Sequence, residues 1–315
     1  MGKTNEILRK LPVEQRADAL AALLAGGGAL PAEKAREFIR LVQNATPLLK
    51  AARVVEMPTP TYSLPKILFG SMIVKAAPTD GDELAAADRS APTVSEISLV
   101  AKDYMASVKV SDKFMEDNVE NESIEDTFMT LIAERVGVDL ETLALASDTL
   151  GAGAYALQDG WIKRITSNVV NAASVDLTRA HLEAALVAVA LRFRAQGRHA
   201  FYVEEYAGEV WRKTIGDRAT ALGDKAILEG TLPPAAGRPV IQVGNMPVTA
   251  GAPNTAPALF TDPRNLILGM LRNIRIETER VVREQATYIV VTFRVAFAVE
   301  HEAAASKITL VKART

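Results

Sequence analysis

The sequence predicts an α+β fold, and three stretches carry that reading. In "YIVVTFRVAFAVE", Ile289, Val291, Phe293, Val295, Phe297 and Val299 alternate with Tyr288, Thr292, Arg294 and Glu300. That period of two marks a half-buried antiparallel strand. Upstream, Ile124, Phe128, Leu131, Ile132, Val136, Leu140 and Leu143 recur at three- and four-residue steps, which predicts a helix of about six or seven turns. Between the two, from about Asp176 to Pro247, short helical and strand patterns follow one another.

The arm comes first. Residues 5–52 read as two helices. "NEILRKLPVEQRADALAALLA" is interrupted at Pro12 and stopped by Gly26, Gly27 and Gly28, and "PAEKAREFIRLVQNATPLLKAA" opens on Pro31 with Phe38, Leu41, Val42 and Ala45 as its apolar stripe. Pro47 should kink or end that helix. "RVVEMPTPTYSLPKILFGSMIV" then turns to β-type residues, broken by Pro58, Pro60 and Pro65, so it reads as edge or extended segments. A second strand, "TVSEISLVAKDY", returns after "AAPTDGDELAAADRSAP", residues 76–92. A hairpin turn needs about two to five residues, and this acidic, proline-containing loop has 17. "MASVKVSDKF" is a third extended run. Ser123 is placed to cap the long helix, with Glu125 and Asp126 in its first turn.

"GAGAYALQDGW" breaks the helical pattern. Leu182, Leu186, Val189 and Phe193 then line one helix face, "HAFYV" reads as a buried strand, and "EEYAGEVWRKTI" as a helix ended by Gly216. Residues 217–237 form a loop and "RPVIQVGNMP" a short strand. "RNLILGMLRNIRIETER" supplies partners for the alternating strand. No internal repeat of 20–50 residues is present.

Composition excludes several functions. The 315 residues suit about two domains. Hydrophobic residues make up 49%, enough for a real core. With 36 basic and 38 acidic residues the net charge is −2, which is not the footprint of a dedicated nucleic-acid binder. The absence of cysteine removes disulfides, Cys-ligated zinc, iron–sulfur clusters and thiol catalysis. No membrane span is expected: the run from Ala19 to Ala32 is too short and glycine-broken, and Glu14 and Asp18 do not suit a secretory signal. Glu6 stands where myristoylation needs Ser or Thr.

Chemistry-bearing motifs are equally sparse. The histidines are His181, His199 and His301, and "HEAAAS" places Ala305 where a zinc helix needs its second His. "GAGAYA" resembles a dinucleotide fingerprint but follows a helix instead of a strand, so it reads as a loop. "GKT" lacks the glycine loop of a phosphate cradle, and no GxSxG occurs. Asp112, Glu116, Asp117, Glu120 and Glu122 read as solvated charges around a helix start, with weak divalent-cation binding as the alternative. Trp161 and Trp211 read as packing or interface aromatics. No catalytic constellation, metal or cofactor is expected.

The order of parts, and the segments "PTVSEISLVAKDYMASVKVSDKFMEDN", "DGWIKRI", "GDKAILEG…GRPVIQVGNMP" and "ALFTDPRNLILGMLRNIRIETER…TYIVVTFRVAFAVEHEAAASKI", resemble the major capsid proteins of tailed bacteriophages, the Hong Kong 97 phage-type fold, over about residues 53–312. The resemblance implies an N-terminal arm (1–52) and an extended β-loop with its flanking strands (53–110). It further implies a peripheral domain with a long spine helix (111–157), an α/β axial domain (158–258), and a closing peripheral-domain sheet (259–315).

The function implied is that of a non-enzymatic major capsid protein, assembled in the host cytoplasm as hexamers and pentamers into the icosahedral head of the virion around double-stranded DNA. Its partners would be itself, portal and scaffolding proteins, and DNA held only non-specifically, with no membrane. The alternative is an encapsulin-type bacterial nanocompartment shell; a soluble α/β enzyme is the rival from another class.

On this resemblance, residues 76–92 become the tip of a finger that reaches a neighbouring subunit. Ordering such a loop costs about 1–2 kcal/mol per residue, which a solitary molecule has little reason to spend. Ile67, Phe69, Ile73, Ile97 and Leu99 would bury apolar edges against the neighbour. Asp80, Asp82, Glu83 and Arg89 would meet its charges. Lys66 and Lys75 are the conceivable crosslink donors, although no crosslink and no N-terminal cleavage are expected. Asp217, Arg218 and Asp224 would make axial contacts from loop 217–237.

Overall fold

The computed structural model describes residues 46–68, 73–76, 83–86, 89, 91, 93–113, 124–194, 197–217 and 232–314. The arm helices before residue 46, Ser123, Phe69, most of the finger tip and residues 218–231 lie outside the described residues, as do the side chains of Ile67 and of residues 124–130.

In chain order the elements are helix α1 (Pro47–Ala51) and strands β1 (Arg53–Glu56), β2 (Thr61–Leu68), β3 (Thr93–Val100) and β4 (Lys102–Ser111). Helix α2 (Ile124–Ala146) and α3 (Trp161–Arg164) precede β5 (Val169–Asn171), α4 (Arg179–Ala188), α5 (Leu191–Arg194), β6 (Ala200–Val203) and α6 (Glu205–Gly216). The chain closes with β7 (Val240–Gln242), β8 (Thr255–Thr261), β9 (Leu266–Val281), β10 (Ala286–Val299) and β11 (Ser306–Lys312). They form a four-stranded sheet in the order β1-β9-β10-β4, a five-stranded sheet β5-β11-β8-β6-β7, and the hairpin β2-β3.

The alternating strand is β10, paired antiparallel with both β9 and β4. Ile289, Val291, Phe293, Val295 and Phe297 face the main core with Ile274 and Ile276 of β9. Strand β9 carries two one-residue bulges opposite Thr292–Val295. One bulge would flip every later side chain to the other face; two restore the parity. Leu266 and Leu268 therefore point to the same core as Ile274 and Ile276. Where β4 ends, the buried Gln158 continues its ladder. Its side-chain amide donates to the Val295 carbonyl and the Tyr104 hydroxyl, and accepts from the Phe297 N–H, each at 3.2 Å.

Helix α2 lies on this core with Ile132, Ala133, Val136, Leu140, Leu143 and Ala144 buried. Leu131, expected on the buried stripe, is exposed, because it sits one residue, about 100°, off the buried ridge. The single helix expected through Phe193 is two, α4 and α5, with Val189 extended between them. Leu182, Val189 and Phe193 are all buried in the second core despite that break. Strand β11, expected to belong with the closing sheet of β9 and β10, pairs instead with β8 and β5. Ile308 and Val311 complete the second core beneath α4. Trp161 and Trp211 are both buried packing residues, and their indole N–H groups donate to the carbonyls of Ile267 and Pro233.

Two features position the finger and α1. The first is a close approach. On the outer face of the four-stranded sheet, Gly269, Ala296 and Ala298 leave room for Met57 and Leu99 to seat the root of the β2–β3 hairpin. A Cβ on Gly269 would lie 2.7 Å from the Met57 sulfur and 3.3 Å from the Ala296 Cβ. The second is Glu141, wholly buried in α2. Its carboxylate accepts from the Leu48 and Leu49 N–H groups (2.9 and 3.4 Å) and from the Asn245 side-chain amide (2.5 Å). Those N–H groups lie in the first turn of α1, where a helix has no partners of its own. Pro47 begins that helix, where a missing N–H costs nothing.

Two outcomes follow. Gly269→Val should lower stability by about 1–3 kcal/mol through overpacking and raise amide exchange in β3 while leaving α2 protected. Burial raises the Glu141 pKa above its ordinary 4.5, outweighing its three hydrogen bonds. An acid raised on folding makes stability fall as pH climbs from 4.5 through the folded-state value, then level off. Urea midpoints measured across that range should show this descent in the parent and not in Glu141→Gln, which keeps an acceptor for α1.

Candidate assembly interface

The finger's two strands pair from Thr61↔Val100 at the root to Leu68↔Thr93 at the far end, a ladder of about 27 Å at roughly 3.4 Å per residue. Its inward residues are spent near the root: Leu99 is buried, and Ile97, Tyr62 and Leu64 pack against that cluster. Beyond it, Val94 is 62% exposed, Val74 73% and Ile73 49%. Leu99 and Ile97, expected to bury against a neighbour, are thus occupied within the subunit, and Ile73 keeps the free apolar surface. Within β2, Pro65 removes a ladder donor.

The expected contact residues divide four ways. Lys66 has a partner within its own subunit. Its ammonium donates to the Glu300 carbonyl at 2.8 Å, tying β2 to the end of β10. Burial lowers its pKa, with Glu300 opposing and the Arg192 charge adding to the fall. Glu83 and Arg89 pair with each other at 2.8 Å, and Arg89 also donates to the Leu84 carbonyl. Both remain exposed, so the pair is worth little by itself. Asp217 is exposed at the end of α6, and Lys75 is exposed on the finger. Asp80, Asp82, Arg218 and Asp224 lie outside the described residues.

Beside Lys66 of the finger sits a knot that sequence reasoning missed. Glu300 accepts from Arg53 at 3.2 Å and lies 3.9 Å from the His301 ring. Next to it, Glu302 accepts from the Thr166 N–H and hydroxyl and from the Ser167 N–H at 2.6–2.7 Å. Those bonds, the Thr166 hydroxyl foremost, hold its pKa down to about 2. The only hint in the sequence was the dense charge of "EHE". His199 is buried against Phe260 and its Nε2 meets the Ala304 carbonyl at 3.0 Å; His181 completes a cap with Thr178. Asp112 pairs with Arg280. Among the described residues no group of acidic or histidine side chains is placed to hold a metal.

Elsewhere the exposed apolar residues gather at edges: Met105 on β4, Leu150, Tyr155 and Leu157 around the turn at residues 150–157, and Val187 with Leu191 near α5. Among the described residues these apolar side chains leave several patches that another surface could cover.

A model of the phage capsid family matches residues 26–310. The chain belongs to that family. It is 35% identical over 312 residues, 97% of this chain and 100% of the other, to YqbE of Bacillus subtilis (strain 168), described as a prophage capsid protein. The fold matches a chain of the satellite phage P4 procapsid with its size determination (Sid) protein at a TM-score of 0.65 and 14% identity, covering 96% of this chain and 98% of that one. It also matches the holo-SrpI encapsulin complex from Synechococcus elongatus PCC 7942 at 0.55 and 12% identity, over 86% and 89% of the two chains. The mixed α+β fold is that of phage capsid proteins, and the family is structural, not enzymatic. The chain is a major capsid protein and its place is the capsid of the virion.

Because Lys66 acts inside the subunit, Lys66→Met should loosen the finger and spare the body. Hydrogen exchange should rise in β2 and β3 and stay unchanged in β9 and β10, with a loss of about 1 kcal/mol in overall stability.

Proposed function

We propose that this capsid protein closes its shell by passing the β2–β3 finger onto a neighbouring subunit. Hexamers and pentamers would combine into an icosahedral head around double-stranded DNA, assembled in the host cytoplasm. The observation that carries the reading is the finger itself: a paired ladder held on the body at its root and at Lys66, with Val94 and Ile73 exposed. Head-to-tail contacts between unlike patches close into rings when the rotation allows it. Buried apolar area then contributes roughly 25 cal/mol per Å² before the costs of association.

In this reading α2 is the spine helix of the peripheral domain, together with the four-stranded sheet. The five-stranded sheet with α4, α5 and α6 is the axial domain. The pairing of β11 with β8 and β5 favours adding residues 306–312 to that axial unit. Residues 1–52 would run as an arm along adjacent subunits. Portal and scaffolding proteins would be partners, and the near-neutral charge suits loose, non-specific contact with DNA. Lys66, held by Glu300, is a poor crosslink donor, in keeping with a shell closed without covalent links.

The likeness to an encapsulin complex favours a second reading, a nanocompartment shell around a cargo enzyme. Neighbouring genes separate the two: portal and packaging genes support the phage head, a cargo enzyme the compartment.

Deleting Thr79 to Ser90 tests the finger. The variant should keep the parent's circular dichroism and form no closed shells by negative-stain microscopy. Normal shells from the shortened chain would refute the reaching finger.

A further inference from the structure

Four elements converge beside the end of β10. Lys66 of β2 donates to the Glu300 carbonyl at 2.8 Å. Arg53 of β1 donates to the Glu300 carboxylate at 3.2 Å. Arg192 of α5 lies over the Phe193 ring at 4.7 Å, and the same ring meets the His301 imidazole at 5.4 Å. The His301 side chain is 21% exposed. It feels two cations, Lys66 and Arg192, and one carboxylate, Glu300, which lies 3.9 Å away and is already engaged by Arg53. The other nearby carboxylates are turned elsewhere, Glu302 to Thr166 and Ser167 and Asp262 to the Arg264 N–H.

The imidazole has little freedom to step aside. Its backbone N–H donates to the Asn265 Oδ1 at 2.7 Å, and its carbonyl accepts from the Asn265 Nδ2 at 3.0 Å. Phe193 is buried in the second core. The finger is tied to this place through one side chain, the Lys66 ammonium. A third positive charge at His301 would therefore act first on Lys66, since like charges held close disfavour one another.

We infer that His301 is an acid-sensitive latch on the finger: as a neutral ring it lets Lys66 and Arg192 share the end of β10, and as an imidazolium it drives Lys66 off the Glu300 carbonyl and loosens the β2–β3 ladder. The latch belongs to the single subunit, so it goes beyond the proposed shell contact and stands whether or not that contact is made. Histidine is the side chain whose ordinary titration falls near neutral pH. Here burial foremost, then the Lys66 charge, lowers the His301 pKa, with Glu300 opposing and Arg192 adding to the fall. The proton binds better once the latch opens, so acid favours the open form. The cost appears as pH falls below the ordinary 6.5 and grows until the folded-state value is passed. Glu141 responds in the opposite direction, because its protonation in acid adds stability. His199 shares the direction of His301 but lies against Phe260 and the Ala304 carbonyl, so its protonation would disturb β6 and β8.

Hydrogen exchange of the full-length chain tests this at about pH 7.5 and about pH 5.5, at a concentration where light scattering shows no shells and with the intrinsic pH dependence of amide exchange divided out. In the parent, amides of β2 and β3 should exchange at least about threefold faster at the lower pH, relative to those of β9 and β10. His301→Gln, uncharged at both values, should lose that acceleration. Arg192→Gln, at an exposed position, should reduce it by removing one of the two repelling charges. In Lys66→Met the finger should exchange fast at both values, because no strap is left to release. Circular dichroism checks that each variant folds.

A parent whose finger exchanges equally at both values overturns the inference. So does an acceleration that persists in His301→Gln or, should that variant not fold, one that is undiminished in Arg192→Gln. Acceleration confined to β6 and β8 would assign the acid response to His199 and would likewise overturn it. The finger deletion remains the separate test of the shell contact.

Discussion

A strand in a sheet has two faces, and β10 uses both. One face is filled by ordinary large residues under α2. The other is kept small, with Ala296 and Ala298 beside Gly269 of β9, so that Met57 and Leu99 can press onto it. Everything the finger does depends on this seat. A hairpin of two strands is marginal alone in water, and its direction would wander if its root were not packed. Seated here, and strapped by Lys66 to the Glu300 carbonyl, it leaves the body at a set place. The finger contact proposed above, repeated around a closed shell, would require that, since a small angular error per subunit accumulates around a ring.

Glu141 makes a comparable connection in the interior. One carboxylate joins α2, the first turn of α1 and the Asn245 loop after β7. Burial makes the charge expensive and the three hydrogen bonds offset only part of that cost. An apolar residue of the same size would bury more cheaply but would leave two backbone N–H groups and an amide without acceptors, each a loss of about 1–3 kcal/mol. The carboxylate thus fixes where α1 sits against α2.

Much of the fold was legible in the sequence because burial writes itself as period. The alternation in 288–299 became β10 with the expected residues inward. The three- and four-residue steps after Ile124 became α2, and "HAFYV" and "EEYAGEVWRKTI" became β6 and α6. What stayed hidden depends on partners distant in sequence. The bulges of β9 cancel in parity, so Ile274 and Ile276 look continuous with Leu266 and Leu268. Val189 kept its place on the apolar face whether or not the helix broke there. Strand β11 has a strand-like pattern that fits either sheet; only its neighbours decide. Glu141 looks like any polar helix position, and Lys66 like any exposed lysine. The β2–β3 hairpin was legible from the two strand-like runs that flank residues 76–92.

Strand edges complete the argument for a subunit built to be joined. An open edge invites pairing, and proteins blunt it with short strands or proline. Here β1, β5 and β7 have only three or four residues, and β2 carries Pro65. The long strands β3 and β4 are left, with eight and ten residues and no proline, and among the described residues each is paired along one edge only. They are consecutive in the chain and meet at Ala101, at the root of the finger. The exposed Val94 and Met105 lie on these same two strands. Protection is therefore strongest at the short edges of the five-stranded sheet and weakest along β3 and β4, the edges that the proposed finger contact would cover.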